Sequence, residues 1–311
     1  MEALRSSSPV KSTIVRKPAV PPPLRWAFRA GSLVAPRATV RHASRLFATP
    51  MASSRSRAIA ASSEDATVGQ VESCGHAITT YAWGDPVTQP YVLFVHGWSS
   101  FGLRCRPWIE PLRAAGYAVV SFDLPGHGRN ARCQTNLPAC AAAVADVARQ
   151  YGPAAAVVAH SMGGAVTVLA LRDGLAAGRV VLVAPSADMR EAGNRFGRMI
   201  GLAHCLVGRM FEGFERQIGI RVDQLGIHHY VPALGVPALV VHDLEDEDVP
   251  WEEGERYARL WPGARLLSTG GLGHHRIAGD PAVVEASLRF LRGEAVGQRV
   301  VSSPNLPFGI A

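Results

Sequence analysis

Six short apolar runs punctuate the chain between residues 91 and 267: Tyr91–Val95, Tyr117–Phe122, Ala155–Ala159, Arg179–Val183, Ala238–His242 and Ala264–Leu267. Each is four to six residues long, too short for a stable helix. Tyr91–Val95, a continuous apolar run ending in His96-Gly97, reads as a strand buried on both faces, and the others read as further short strands. Helical segments lie between them. Pro107–Ala115 ends at Gly116, a suitable left-handed residue after a helix. Asn136 can cap a helix over Leu137–Tyr151, and Gly152-Pro153 stops it. Ala165–Arg172 and Pro281–Leu291 continue the alternation. Successive strand–helix–strand units require right-handed parallel crossovers. The expected fold class is therefore α/β, a doubly wound and mostly parallel sheet. Residues 186–232 interrupt the pattern with helical pieces of their own, as a short cap insertion would.

Charge divides the 311 residues differently. Of 32 Lys+Arg, eleven fall in residues 1–63 beside a single acid, Glu2, so that segment is +10. The other 21 face 24 acids, leaving residues 64–311 at −3. A body of that charge is no polyanion-coating surface, and no nucleic-acid partner is expected. Any attraction to anions belongs to the arm. The arm carries serine patches, Pro21-Pro22-Pro23, and an Arg-rich stretch with Trp26, Phe28, Leu33, Val34, Val40, Leu46 and Phe47. Three arrangements suit it: a transit peptide, an amphipathic arm lying on anionic lipid as a peripheral membrane contact, or short helices packed on the body. The expected divisions are the basic arm 1–63, the body 64–293 and a tail 294–311. No run of about 18 apolar residues announces a spanning helix. Five cysteines (Cys74, Cys105, Cys133, Cys140, Cys205) lack the paired spacing of a zinc site. Free or buried thiols in a reducing compartment fit better, hence a cytoplasmic location.

The chemistry concentrates in Val157-Val-Ala-His-Ser161-Met-Gly-Gly164. A buried strand runs directly into a serine, and a helix follows at once. Such a turn needs small flanking residues because the backbone closes on itself. It lifts the hydroxyl above the sheet edge and aims helix N-terminal amides at any oxyanion formed there. The usual pattern is G-x-S-x-G; Ala159 occupies the first position here.

With further motifs in order, the chain resembles the α/β-hydrolase superfamily, on the branch of single-domain esterases, lysophospholipases and serine aminopeptidase-like proteins. The resemblance covers about residues 75–293. It rests on His96-Gly97-Trp98, Asp123-Leu-Pro-Gly-His-Gly128, the Ser161 turn, His242-Asp243-Leu-Glu-Asp246-Glu-Asp248-Val-Pro250 and Gly271-Leu-Gly-His274-His-Arg-Ile277. It implies a hydrolase that needs neither cofactor nor metal and acts on a small-molecule acyl substrate. Ser161 would be the nucleophile, His274 its base, and Asp246 the acid that orients the imidazole. The backbone amides of Trp98 and Met162 would hold the oxyanion. Asp243, Asp248 and Asp188 compete for the acid's role, and His275 for that of His274. His96, His127, His160 and Asp123 suit structural hydrogen bonding. His204, His228 and His229 in the cap make no metal site without further ligands. Relatives often place Arg-Ser where this chain has Arg129-Asn130, a loop position. A serine in place of a nucleophilic aspartate argues against dehalogenase and epoxide-hydrolase chemistry.

The cap offers Met189, Phe196, Met199, Ile200, Leu202, Leu206, Met210 and Phe214. Met189, Phe196 and Met199, with Trp98, are the expected substrate-binding residues, suited to short or medium acyl chains. Half of the cap's apolar residues would equally serve to bury it on the body. The same triad supports acyl transfer, amide or N-terminal peptide cleavage, and C–C hydrolysis. A non-catalytic, membrane-associated binding module is the alternative of another class.

Overall fold

An antiparallel hairpin, β1 (Thr67–Ser73) and β2 (His76–Trp83), stands ahead of the first apolar run. The six runs themselves supply β3 (Tyr91–Val95), β4 (Ala118–Phe122), β5 (Ala156–His160), β6 (Val180–Val183), β7 (Ala238–Asp243) and β8 (Arg265–Thr269). These belong to a computed structural model that describes residues 20–300. The first part of the basic arm, 1–19, and residues 301–311 of the expected tail lie outside the described residues. A two-residue strand, β9 (Gln298–Arg299), pairs antiparallel with β8. The sheet order is β1-β2-β4-β3-β5-β6-β7-β8-β9, parallel from β4 through β8. The alternation of side chains sorts the core into two layers. Val92, Phe94, Val158, Val181 and Val241 face one way, while Leu93, Val95, Val157, Leu182 and Val240 face the other. Both layers are covered, so every residue of β3 to β7 is buried apart from the half-buried His160.

The arm forms three helices, α1 (Pro22–Val34), α2 (Pro36–Ala48) and α3 (Ala52–Ala60). A proline near the first position of α1 and of α2 presets the backbone where no intrahelical donor is needed. In the body, α4 (Arg106–Ala114) opens the series and α5 (Leu137–Tyr151) follows, capped by the Asn136 side chain accepting from the Ala139 amide at 2.9 Å. Next come α6 (Met162–Arg172), the cap helices α7 (Met189–Ile200) and α8 (His204–Ile218), then α9 (Trp251–Leu260), the short α10 (Gly273–Arg276) and α11 (Pro281–Leu291). Trp108 and Leu112 of α4 and Val283, Leu288 and Phe290 of α11 cover one face of the sheet. Helices α5, α6 and α9 cover the other. Among the described residues no helix is long and apolar enough to cross a membrane.

The arm packs on the rest of the chain. Phe28 and Ala43 are buried against Ile200, Leu202, Leu206, Met210 and Phe211 of the cap region. Burying a phenylalanine contributes about 1.5–3 kcal/mol. Ser32 Oγ accepts from the Ala203 amide at 3.2 Å, tying α1 to the loop between the cap helices. Helix α3 sits at the opposite end of the arm. There Arg129 donates to the Ala58 and Ala61 carbonyls at 3.3 and 2.7 Å and to Ser63 Oγ at 2.9 Å. Arg55 donates in return to the Asn130 carbonyl. Asn130 pins its loop, donating to the Asp123 carbonyl at 2.6 Å and accepting from the Thr79 amide at 2.8 Å. The Arg129-Asn130 pair thus clasps the arm to the body.

Candidate active site

Helix α6 begins at Met162, directly after β5, and leaves Ser161 alone to make the turn. Its φ of 55° and ψ of −126° are foreign to residues with a side chain, a strain of about 1–3 kcal/mol that surrounding structure must hold. Two glycines permit the close packing. A Cβ on Gly163 would lie 2.5 Å from the Val95 carbonyl oxygen, and one on Gly97 would lie 2.8 Å from Ser161 Cβ. These approaches explain why the helix starts at Met162 and not at Ala165: Gly163 and Gly164 belong to its first turn. Met162 opens that turn, where an amide has no intrahelical acceptor.

The turn brings Ser161 to His274. Ser161 Oγ and His274 Nε2 are 2.9 Å apart, and His274 Nδ1 lies 2.7 Å from Asp246 Oδ2. A carboxylate only accepts, so Nδ1 carries the proton and Nε2 is free to accept from the serine hydroxyl. Asp246 Oδ1 accepts from the Asp248 and Val249 amides, both at 2.9 Å. Burial by itself would raise the Asp246 carboxyl. Hydrogen bonds from His242 and His274 and the Val249 amide instead hold it well below the usual carboxylate range. A hydroxyl, an imidazole and a carboxylate in this chain can move a proton off the hydroxyl and stabilise the resulting imidazolium.

The competing residues lie elsewhere. Asp243 accepts from Thr269 Oγ1 at 2.6 Å and the Leu272 amide at 3.0 Å, bracing the loop that presents His274. Asp248 pairs with the exposed His275 at 3.5 Å. Asp188 caps α7. Asp123 is buried and accepts from the Gly102 and Arg129 amides and from Tyr81 Oη at 2.7–2.8 Å. His242 was not singled out from the sequence. It is fully buried, donates from Nε2 to the Val249 carbonyl at 2.9 Å, and lies 3.4 Å from Asp246 Oδ2. Its position four residues before Asp246 was the only available signal.

Two cavities meet at Ser161. The first, of about 920 Å³, is lined by Trp98, Met162, Met189, Phe196 and Met199. All the expected substrate-binding residues therefore border one space, with Met199 half-exposed at its edge. Arm residues Val20, Arg25, Phe47 and Ala48 complete the wall. Phe47 packs on Phe196, Phe211 and Phe214 with ring centroids 5.1–6.0 Å apart. The second cavity, which Ser161 also borders, is lined by His274, His275, Arg57, Arg104 and Arg276 among others.

The model of the alpha/beta hydrolase family matches residues 92–225, from β3 into the cap. The chain has the α/β-hydrolase fold. An esterase from a Rhodococcus species shares this fold, with a TM-score of 0.55 and 20% identity over 74% of this chain and 100% of that one. A bacterial membrane phospholipase A gives a TM-score of 0.57 at 18% identity, covering 87% of this chain and 97% of its own. Among curated proteins, the dihydrolipoyllysine-residue acetyltransferase component of an acetoin cleaving system from Cupriavidus necator is 44% identical over 81 residues. That match spans 24% of this chain and only 21% of the relative.

Three further histidines support the site from behind. His96 Nε2 accepts from the Leu124 amide at 3.0 Å, and His160 Nε2 bonds the His274 carbonyl at 2.9 Å. Burial pushes His96 down to about 4 and His127 to about 3, and holds His160 well below its ordinary value. In the unfolded chain each titrates near 6.5. Between about 6.5 and 4 the unfolded state takes up protons that the folded state refuses. Stability is therefore full above that window and falls as pH drops through it. Urea midpoints taken from about pH 7 to about pH 4 should decline steadily; a flat series would contradict neutral imidazoles at these positions.

Proposed function

We propose that this α/β hydrolase is a serine hydrolase that cleaves a carboxylic ester or related acyl bond through an acyl-enzyme on Ser161. The observation that carries this reading is the unbroken Ser161–His274–Asp246 chain facing an apolar cavity. Esterases and a phospholipase A among proteins of the same fold support it. Ser161 Oγ attacks the carbonyl carbon while His274 Nε2 takes its proton. The oxyanion accepts from the Trp98 and Met162 amides. Collapse expels the alcohol, which leaves with the proton from His274. Water, deprotonated by the same imidazole, then releases the acid and restores Ser161. No step requires a cofactor.

The acyl chain occupies the cavity beneath Trp98, Met189 and Phe196. A cavity near 920 Å³ accommodates a medium-length chain. Rates on a series of p-nitrophenyl esters of increasing acyl length test this. Turnover should rise from acetyl to a medium-chain optimum, and absence of turnover on every ester would refute the reading. Phe47→Ala removes part of the far wall and should move that optimum to longer chains. Unchanged relative rates would show that the arm does not bound the acyl site.

A further inference from the structure

The outward surface of the arm combines large exposed apolar side chains with a line of arginines. On α1, Trp26, Leu33 and Val34 are 66%, 87% and 83% exposed. Trp26 and Leu33 are two helical turns apart and share a face, while Phe28 is buried on the cap side. The Arg29 guanidinium lies 5.4 Å from the Trp26 ring centroid. On α2, Arg37, Arg41 and Arg45 recur at every fourth position and are exposed, opposite Ala43 and Phe47, which meet the cap. Residues 3–63 contain no acid to offset this stripe. The first described residues of the arm also reach the acyl cavity, which Val20, Arg25 and the half-exposed Met199 line.

We propose that the α1–α2 hairpin docks this hydrolase on an anionic phospholipid bilayer. Trp26, Leu33 and Val34 enter the boundary between headgroups and acyl chains, and Arg29, Arg37, Arg41 and Arg45 meet lipid phosphates. An indole suits that boundary, with its ring in the apolar layer and its N–H among headgroups. A nucleic acid would satisfy the arginines but leave Leu33 and Val34 in water. A second copy of the chain would set one arginine stripe against another. Docking here places the Val20–Arg25 end of the cavity beside the membrane, a natural route for an acyl lipid.

Co-sedimentation of the full chain with phosphatidylcholine/phosphatidylglycerol vesicles, against phosphatidylcholine alone, tests the proposal. The chain should pellet with the anionic vesicles, release at high salt, and bind the neutral ones weakly. The triple variant Trp26→Ser, Leu33→Ser, Val34→Ser and the triple variant Arg29→Glu, Arg37→Glu, Arg41→Glu should each partition at least about tenfold more weakly. Both should keep the parent's melting temperature and its turnover of a soluble ester. Ser161→Ala should pellet like the parent, so an error in the catalytic reading would leave this result standing. Parent protein remaining in the supernatant, or variants that partition like the parent, would overturn the proposal. So would duplex DNA capture, or a concentration-dependent dimer, that the variants lose without any vesicle binding.

Discussion

Ser161→Ala is expected to lower kcat/KM for p-nitrophenyl ester hydrolysis by about 10,000-fold or more, since the nucleophile acts as a unit with its base. The fold should survive. Ser161→Gly sharpens the separation of chemistry from structure. It removes a side chain from a backbone conformation that glycine adopts freely. It should lose turnover to the same extent with no loss of thermal stability. Turnover within tenfold of the parent in either variant would exclude Ser161 as nucleophile, and a drop in melting temperature for Ser161→Gly would contradict the strain at the turn.

The second large effect belongs to Asp246. Asp246→Asn preserves shape but places an amide where His274 Nδ1 now donates. An amide nitrogen facing Nδ1 favours the other tautomer, whose Nε2–H cannot accept from Ser161. A fall in kcat of about 10,000-fold follows. The same substitution at Asp243 leaves the tautomer alone and acts only through the loop that Thr269 and Leu272 share with it. Its effect on kcat should be far smaller, accompanied by lower stability. Equal losses at both positions would remove the distinction between an orienting acid and a brace.

How much of this was legible in the sequence depends on how local each feature is. The six strands could be read because a continuous apolar run of that length has few other structures open to it. The Ser161 turn could be read because the strand, the small residues and the helix are contiguous. Helix α9 has little sequence signal because Trp251-Glu-Glu-Gly-Glu-Arg-Tyr-Ala-Arg-Leu260 is mostly polar, and its inward side rests on Tyr257 and Ala258. Strand β1 escaped because nearly all of its residues are exposed and no buried run marks it. The larger gap concerns the cavity beside Ser161. Phe47 stood out as an apolar residue in a basic arm, yet nothing local placed it against Phe196 and Phe214. Packing between an N-terminal arm and a cap insertion is a long-range arrangement. It is set by complementary faces that are each amphipathic and individually noncommittal. Arg129-Asn130 showed the same difficulty: a variation in a loop motif became intelligible only with α3 in contact with it.

The arm and the cap together enclose a cavity beside Ser161 that the central sheet alone would not. The sheet fixes Ser161, Asp246 and His274 at the ends of β5, β7 and β8. The arm supplies the wall at Phe47 and, by the proposal above, the lipid contact at Trp26.

Covalent labelling examines the nucleophile most directly. The full chain is treated with a fluorophosphonate and the digested peptides are analysed by mass spectrometry. A single phosphonylated site at Ser161, absent from Ser161→Ala and much slower to form in Asp246→Asn, is the expected result. Label retained by Ser161→Ala, or a parent protein that stays unlabelled, would contradict an acyl-enzyme mechanism at this site.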